Sequence, residues 1–152
     1  MTNETHPVSG REGRLSALVA RVYGFEPARL RPLPGELDLN IYLESAGGRA
    51  FTLKLARPGT EPAALDMQEA LLRHLAARDT GLQLPRPVAT LQGAFTFEDT
   101  SFDGLPRLVR LMHWVPGRVY AAVRPHDDVL LESLGDQLGR LSRALQGFDH
   151  PA

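Results

Sequence analysis

Cysteine is absent from these 152 residues, and lysine occurs once. The first absence removes disulfides, thiolate nucleophiles and cysteine metal sites. The five histidines are scattered, with no His-x-x-x-His pair, so no metal site is expected from them either. Charge of one sign is also missing. A formal net charge of −1 gives no electrostatic footing for nucleic acid or an anionic membrane as partner. No apolar run approaches the ~20 residues of a membrane span, and the opening residues are polar, unlike a secretory leader. A cytoplasmic location is the default expectation. What is present is ordinary for a domain with a buried core: 43% apolar and 23% charged residues, in a length that suits one domain or one and part of a second.

Residues 1–8 read as a loose tail. Ser9 is placed to cap a helix running to about Tyr23, with Leu15, Leu18, Val19 and Val22 as its apolar stripe and Gly24 as its stop. Pro27, Pro32 and Pro34 keep the chain extended as far as Gly35. Two strand-like runs follow, Leu39–Ser45 and Ala50–Leu55. They are joined by Ala46-Gly47-Gly48-Arg49, where Gly-Gly supplies the positive φ of a tight hairpin. Pro58 and Gly59 break the chain. A helix then opens at Thr60 or Glu61 and reaches about Ala77, with Leu65, Leu72 and Leu75 on one face and Met67 and Leu71 beside it. Leu84-Pro85-Arg86-Pro87 forces extension. Short strands are expected at 88–92 and 94–98, and a stronger one at Arg107–Trp114. After Val115-Pro116-Gly117 a final helix begins near His126-Asp127, carries Val129, Leu130, Leu134, Leu138, Leu141 and Leu145, and ends near Gly147. The class is α+β with an antiparallel sheet.

The single lysine stands in Phe51-Thr-Leu-Lys-Leu-Ala56. Phe51, Leu53 and Leu55 face one way, and Thr52, Lys54 and Ala56 the other. Sixteen of the 17 basic residues are arginine. Retaining one lysine fits a place where a compact point charge must reach a phosphate, a task for which the planar guanidinium is no substitute. The plainer reading is a solvated lysine on a half-exposed strand.

Five further stretches join it in order: Leu33-Pro-Gly-Glu-Leu-Asp-Leu-Asn-Ile-Tyr42, Ala64–Leu75, Leu84-Pro-Arg-Pro-Val88, Val109-Arg-Leu-Met-His-Trp-Val-Pro-Gly117 and Leu138–Pro151. Together, over roughly residues 28–151, the chain resembles the N-terminal lobe of the aminoglycoside phosphotransferase and choline kinase-like superfamily. Within it the likeness is to hydroxylysine kinase-type phosphotransferases. The resemblance implies a kinase-like lobe: a twisted antiparallel sheet of about five strands with the 61–77 helix packed on it. It also implies three parts, namely a tail and helix (1–27), a lobe and hinge (28–117) and the start of a truncated second lobe (118–152).

The residue roles follow from the same likeness. Lys54 would neutralise the α- and β-phosphates of ATP, oriented by an acid of the following helix, Asp66 first and then Glu69. The turn from Gly35 to Asn40 would cover the phosphates. Met112 falls at the gatekeeper position, and the His113 carbonyl and Val115 amide would bond the adenine edge. Met112 and Trp114 are equally readable as core.

No catalytic residue is expected in this chain. His126-x-Asp128 imitates the superfamily's catalytic loop, but five residues beyond Asp128 stands Ser133, where that loop has asparagine. Asp127 and Asp128 precede an apolar-periodic helix, where capping explains them. The implied function is the ATP-binding front of a small-molecule kinase, itself inactive, whose Mg²⁺ ligands lie in a missing C-terminal part. Its partners would be ATP and an acceptor hydroxyl on an amino acid, amino alcohol or aminoglycoside-like molecule. The 129–145 helix, left without a partner lobe, would favour self-association. The competing reading is a non-catalytic nucleotide-binding or interaction module.

Overall fold

The computed structural model describes residues 10–152; Ser9 and the 1–8 tail lie outside them. The element order is helix α1 (Gly10–Tyr23), strands β1 (Pro27–Leu33), β2 (Leu39–Ser45) and β3 (Ala50–Leu55), helix α2 (Pro62–Ala76), strands β4 (Pro87–Val88), β5 (Phe97–Asp99) and β6 (Arg107–His113), a 3-10 turn at Tyr120–Ala122, and helix α3 (Asp128–Ala144). The six strands form one antiparallel sheet in the order β1-β2-β3-β6-β4, with β5 pairing to β6. One strand more than expected appears because the proline-rich run 27–33 pairs as an edge strand. An edge tolerates Pro27 and Pro32, since their missing N–H groups need not enter a ladder.

The β2–β3 hairpin has the predicted bounds, but only Gly48 of its two glycines takes a positive φ (76°). Its N–H donates to the Ser45 carbonyl at 2.9 Å, closing the turn. The strand expected at 88–92 is cut to two residues. Thr90 and Ala94 instead close a turn, with the Thr90 N–H on the Ala94 carbonyl at 2.7 Å and the Gly93 N–H on the Thr90 carbonyl at 2.9 Å. The run expected at 94–98 slides to Phe97–Asp99.

Alternation divides the sheet into two unlike faces. Ile41, Leu43, Phe51, Leu53, Leu55, Val109 and Leu111 point to one side and are buried under Leu15, Leu18, Val19 and Tyr23 of α1. Leu18, Leu43, Leu53, Leu55, Leu111, Val19 and Val109 are fully buried, each worth about 1.5–3 kcal/mol of apolar transfer. The helix over the core face is thus α1. α1 is also tied down by polar bonds: Arg14 Nε donates to the Phe102 carbonyl at 2.7 Å, and Arg21 pairs with Asp99 at 2.5 Å.

The opposite face is polar and bears Asn40, Tyr42, Thr52, Lys54, Arg110 and Met112. α2 stands beside it. Pro62 occupies the first turn, where a missing N–H costs nothing, and Leu65 and Leu75 are buried. The far end of α2 is joined to the end of α3. His74 Nε2 lies 3.0 Å from the Ala144 carbonyl, Arg78 donates to the Gln146 carbonyl at 3.1 Å, and the His74 and Phe148 rings meet edge to face at 5.2 Å. No helix is long and apolar enough to cross a membrane.

Candidate functional site

Antiparallel register sets the site. Asn40 lies opposite Lys54, and Lys54 opposite Arg110, so the three form one row across β2, β3 and β6 on the polar face. The next row is Tyr42, Thr52, Met112 and Pro87. α2 and the stretch after β6 wall the β3 and β6 members of these rows into a cleft of about 410 Å³, while Asn40 lines a separate cavity with Gly35 and Asp38. Thr52, Lys54, Arg110 and Met112 form its floor, Gln68 and Leu72 come from α2, and His113, Trp114 and Val115 form its end. Lys54, Met112, His113 and Val115, named from sequence, are brought together here.

At its other end Lys54 meets the turn between β1 and β2. Lys54 Nζ lies 3.7 Å from Asp38 Oδ2, with both side chains about three-quarters covered. This corrects the expected pairing with Asp66 or Glu69. Asp66 is exposed, and Glu69 accepts from Arg73 one helical turn on at 3.2 Å. The polar α2 side chain that lines the cleft is Gln68. Asp38 reaches Lys54 because alternation places it two residues before Asn40, and Asn40 is the direct cross-strand neighbour of Lys54.

The turn itself needs glycine at 35. A Cβ there would lie 2.4 Å from Asn40 Nδ2 and 2.6 Å from the Asp38 carbonyl oxygen. Asn40 Nδ2 closes the turn by donating to the Pro34 and Asp38 carbonyls at 3.5 and 3.4 Å. Its Oδ1 is buried without a hydrogen-bond partner among the described residues.

Where β6 ends, backbone pairing is selective. The His113 N–H donates to the Arg86 carbonyl at 2.8 Å and the Trp114 N–H to the Ala50 carbonyl at 3.0 Å. The Val115 N–H has no partner among the described residues. The cleft therefore offers a free donor beside apolar Leu72, Met112 and Trp114, and two cations at depth. That donor set fits a ligand with a flat heterocycle and an anionic tail.

Arg110 and Asp38 are the site residues that sequence reasoning missed. Both were inside recognised stretches, and their signal was the hairpin register, which aligns Asn40, Lys54 and the polar side of β6.

No group of three or more His, Asp or Glu gathers to hold a metal among the described residues. The His126-x-Asp128 imitation is structural. Asp127 Oδ1 accepts from the Leu130 N–H at 2.9 Å as the cap of α3, and the His126 ring stacks on Tyr120 at 4.5 Å.

Comparison with known proteins agrees on one kind of relative. The model of a family described as "phosphotransferase enzyme family" matches residues 29–152. Hydroxylysine kinase of Danio rerio is 28% identical over 153 residues, taking in 99% of this chain and 42% of that protein. The Mus musculus hydroxylysine kinase is 30% identical, over 92% of this chain and 40% of its own length. Among solved structures, amicoumacin kinase in complex with AMP-PNP, Ca²⁺ and Ami superposes with a TM-score of 0.72 at 19% identity, over 93% of this chain and 42% of that one. The chain thus spans about two-fifths of the length of the relatives it matches.

Proposed function

Since this chain belongs to the phosphotransferase enzyme family and folds as the N-terminal lobe of a kinase-like phosphotransferase, we propose that it is the ATP-binding portion of a small-molecule kinase. One observation carries this reading. The lone lysine and the unpaired Val115 N–H line the same cleft, together with apolar Leu72, Met112 and Trp114. Adenine would lie between Leu72, Met112 and Trp114 and bond the His113 carbonyl and Val115 amide. Lys54, held by Asp38, would neutralise the α- and β-phosphates, under the Gly35–Asn40 turn. Bound ATP would supply the γ-phosphoryl group for a hydroxyl of an amino acid, amino alcohol or aminoglycoside-like acceptor.

The cleft does not fit Mg²⁺ by itself. Asp38, the carboxylate of the turn, is already engaged by Lys54, and an octahedral oxygen set needs more. Metal ligands and the group that positions the acceptor would come from beyond these residues. The second reading, a non-catalytic nucleotide-binding module, draws on the same fact.

Without a metal to bridge the phosphates, the 152-residue chain is expected to bind ATP near millimolar, about −4 kcal/mol, and to transfer no phosphate. The measurement is ATP consumption with amino-alcohol acceptors by this chain and by any longer product of its gene. In an active longer product, Lys54→Arg should lower the rate by orders of magnitude with the fold intact, because the planar guanidinium keeps the charge but not the compact point-charge geometry. Turnover by the short chain, or an unimpaired arginine variant, would overturn these roles.

A further inference from the structure

Arg110 is a largely buried cation with no salt bridge among the described residues. Its side chain lines the cleft and is 9% exposed as a residue. It forms no ion pair and no hydrogen bond through its guanidinium among the described residues. It stands directly opposite Lys54 in the ladder, so the two Cβ atoms are about 5 Å apart, and like charges placed so are destabilising. The carboxylates around it do not resolve this. Asp38 is held by Lys54 at 3.7 Å, and Glu69, across a narrow gap on the α2 side, is held by Arg73 at 3.2 Å. Two cations share one carboxylate. Burial pushes the guanidinium below its ordinary pKa, with Asp38 pulling the other way, yet arginine stays charged, and its unpaired donors open onto the cleft, where an anion can meet them.

We propose that Arg110 is a second anion-binding residue of the cleft, which with Lys54 forms a two-point grip on adjacent phosphates of a polyphosphate ligand. This rests on the nucleotide reading for the ligand's identity, but the grip itself rests on the Lys54–Arg110 row. Lysine supplies a mobile point charge on β3, and arginine a planar fork beside it on β6. A ligand with one phosphate fills one position. Two or three linked phosphates fill both, so the site selects for chain length.

The test uses the 152-residue chain and the fluorescence of Trp114, the single tryptophan, which lines the cleft. The probes are inorganic tripolyphosphate, inorganic phosphate, ATP and adenosine. Wild type should bind tripolyphosphate more tightly than phosphate. Arg110→Met should weaken tripolyphosphate and ATP by about tenfold, the scale of one charge-assisted hydrogen bond, with adenosine moved less than twofold. Removing one of two facing cations should leave the unliganded variant at least as heat-stable as wild type. A structural arginine would behave in the opposite way. Arg110→Met that keeps wild-type tripolyphosphate affinity, or that unfolds at lower temperature or fails to fold, overturns the proposal. If tripolyphosphate binding depends on Arg110 while adenosine never binds, the grip stands and the nucleotide reading fails.

Discussion

At the scale of single residues, the site depends on close approaches that permit few substitutions. Gly35 is the sharpest. Its α-carbon faces the Asp38 backbone and the Asn40 amide so closely that a methyl group has no room. Asn40 could swing aside, but the Asp38 carbonyl belongs to the turn and must shift with it. Gly35→Ala should therefore cost about 1–3 kcal/mol and move Asp38 away from Lys54. A urea titration should show a lower midpoint at unchanged slope, and an unmoved midpoint would mean the turn has more room than its geometry gives it. Lys54 stood out in the sequence because its chemistry is singular in this chain. Asp38 was not, because it is one of 18 acidic residues and nothing local marks it.

At the scale of elements, periodicity served where an element's own side chains decide its state. β2 and β3 alternate cleanly around a two-glycine turn, and their bounds follow. β4 and β5 do not, because Thr90–Ala94 can satisfy its backbone in a turn as well as in a ladder, and local bonds won. α3 shows a different limit. Its apolar stripe was plain, but burial is not a property of the stripe: Val129 is 75% exposed, Leu134 38% and Leu138 53%. An apolar face of this kind is a liability in an isolated chain. A second copy presenting the same stripe in antiparallel would cover it. Sedimentation velocity should show mass rising with concentration, and Leu134→Glu with Leu138→Glu should abolish the rise. A monodisperse wild-type monomer across the same range would count against it.

At the scale of the whole molecule, α1 and the sheet behave as one body, held by the shared core and by Asp99. That carboxylate is 7% exposed, pairs with Arg21 at 2.5 Å and accepts from the Ser101 N–H and hydroxyl, both at 2.7 Å. Burial alone would raise it, but the bonds from Ser101 and Arg21 outweigh burial and hold it below the usual carboxylate range. A group whose folded pKa is depressed contributes stability above its unfolded pKa and loses it as pH falls through the folded value. The advantage of wild type over Asp99→Asn in thermal midpoint should accordingly be full above about pH 4 and shrink below it. A difference that stays constant down to pH 2 would show that the contact is not ionic.

The class, the hairpin, the three helices and the special standing of Lys54 could be read from the chain, because each is written in local periodicity or composition. Which acid meets Lys54, which helix covers the core, and that Arg110 lies next to Lys54 could not. Those depend on which segments meet after folding: apolar burial decides which helix covers the core, and Coulomb energy at about 4 Å decides the charged neighbours. Asp66 and Glu69 lay nearer along the chain, and Asp38 is nearer in space because β2 pairs with β3 and carries its preceding turn to the end of the row.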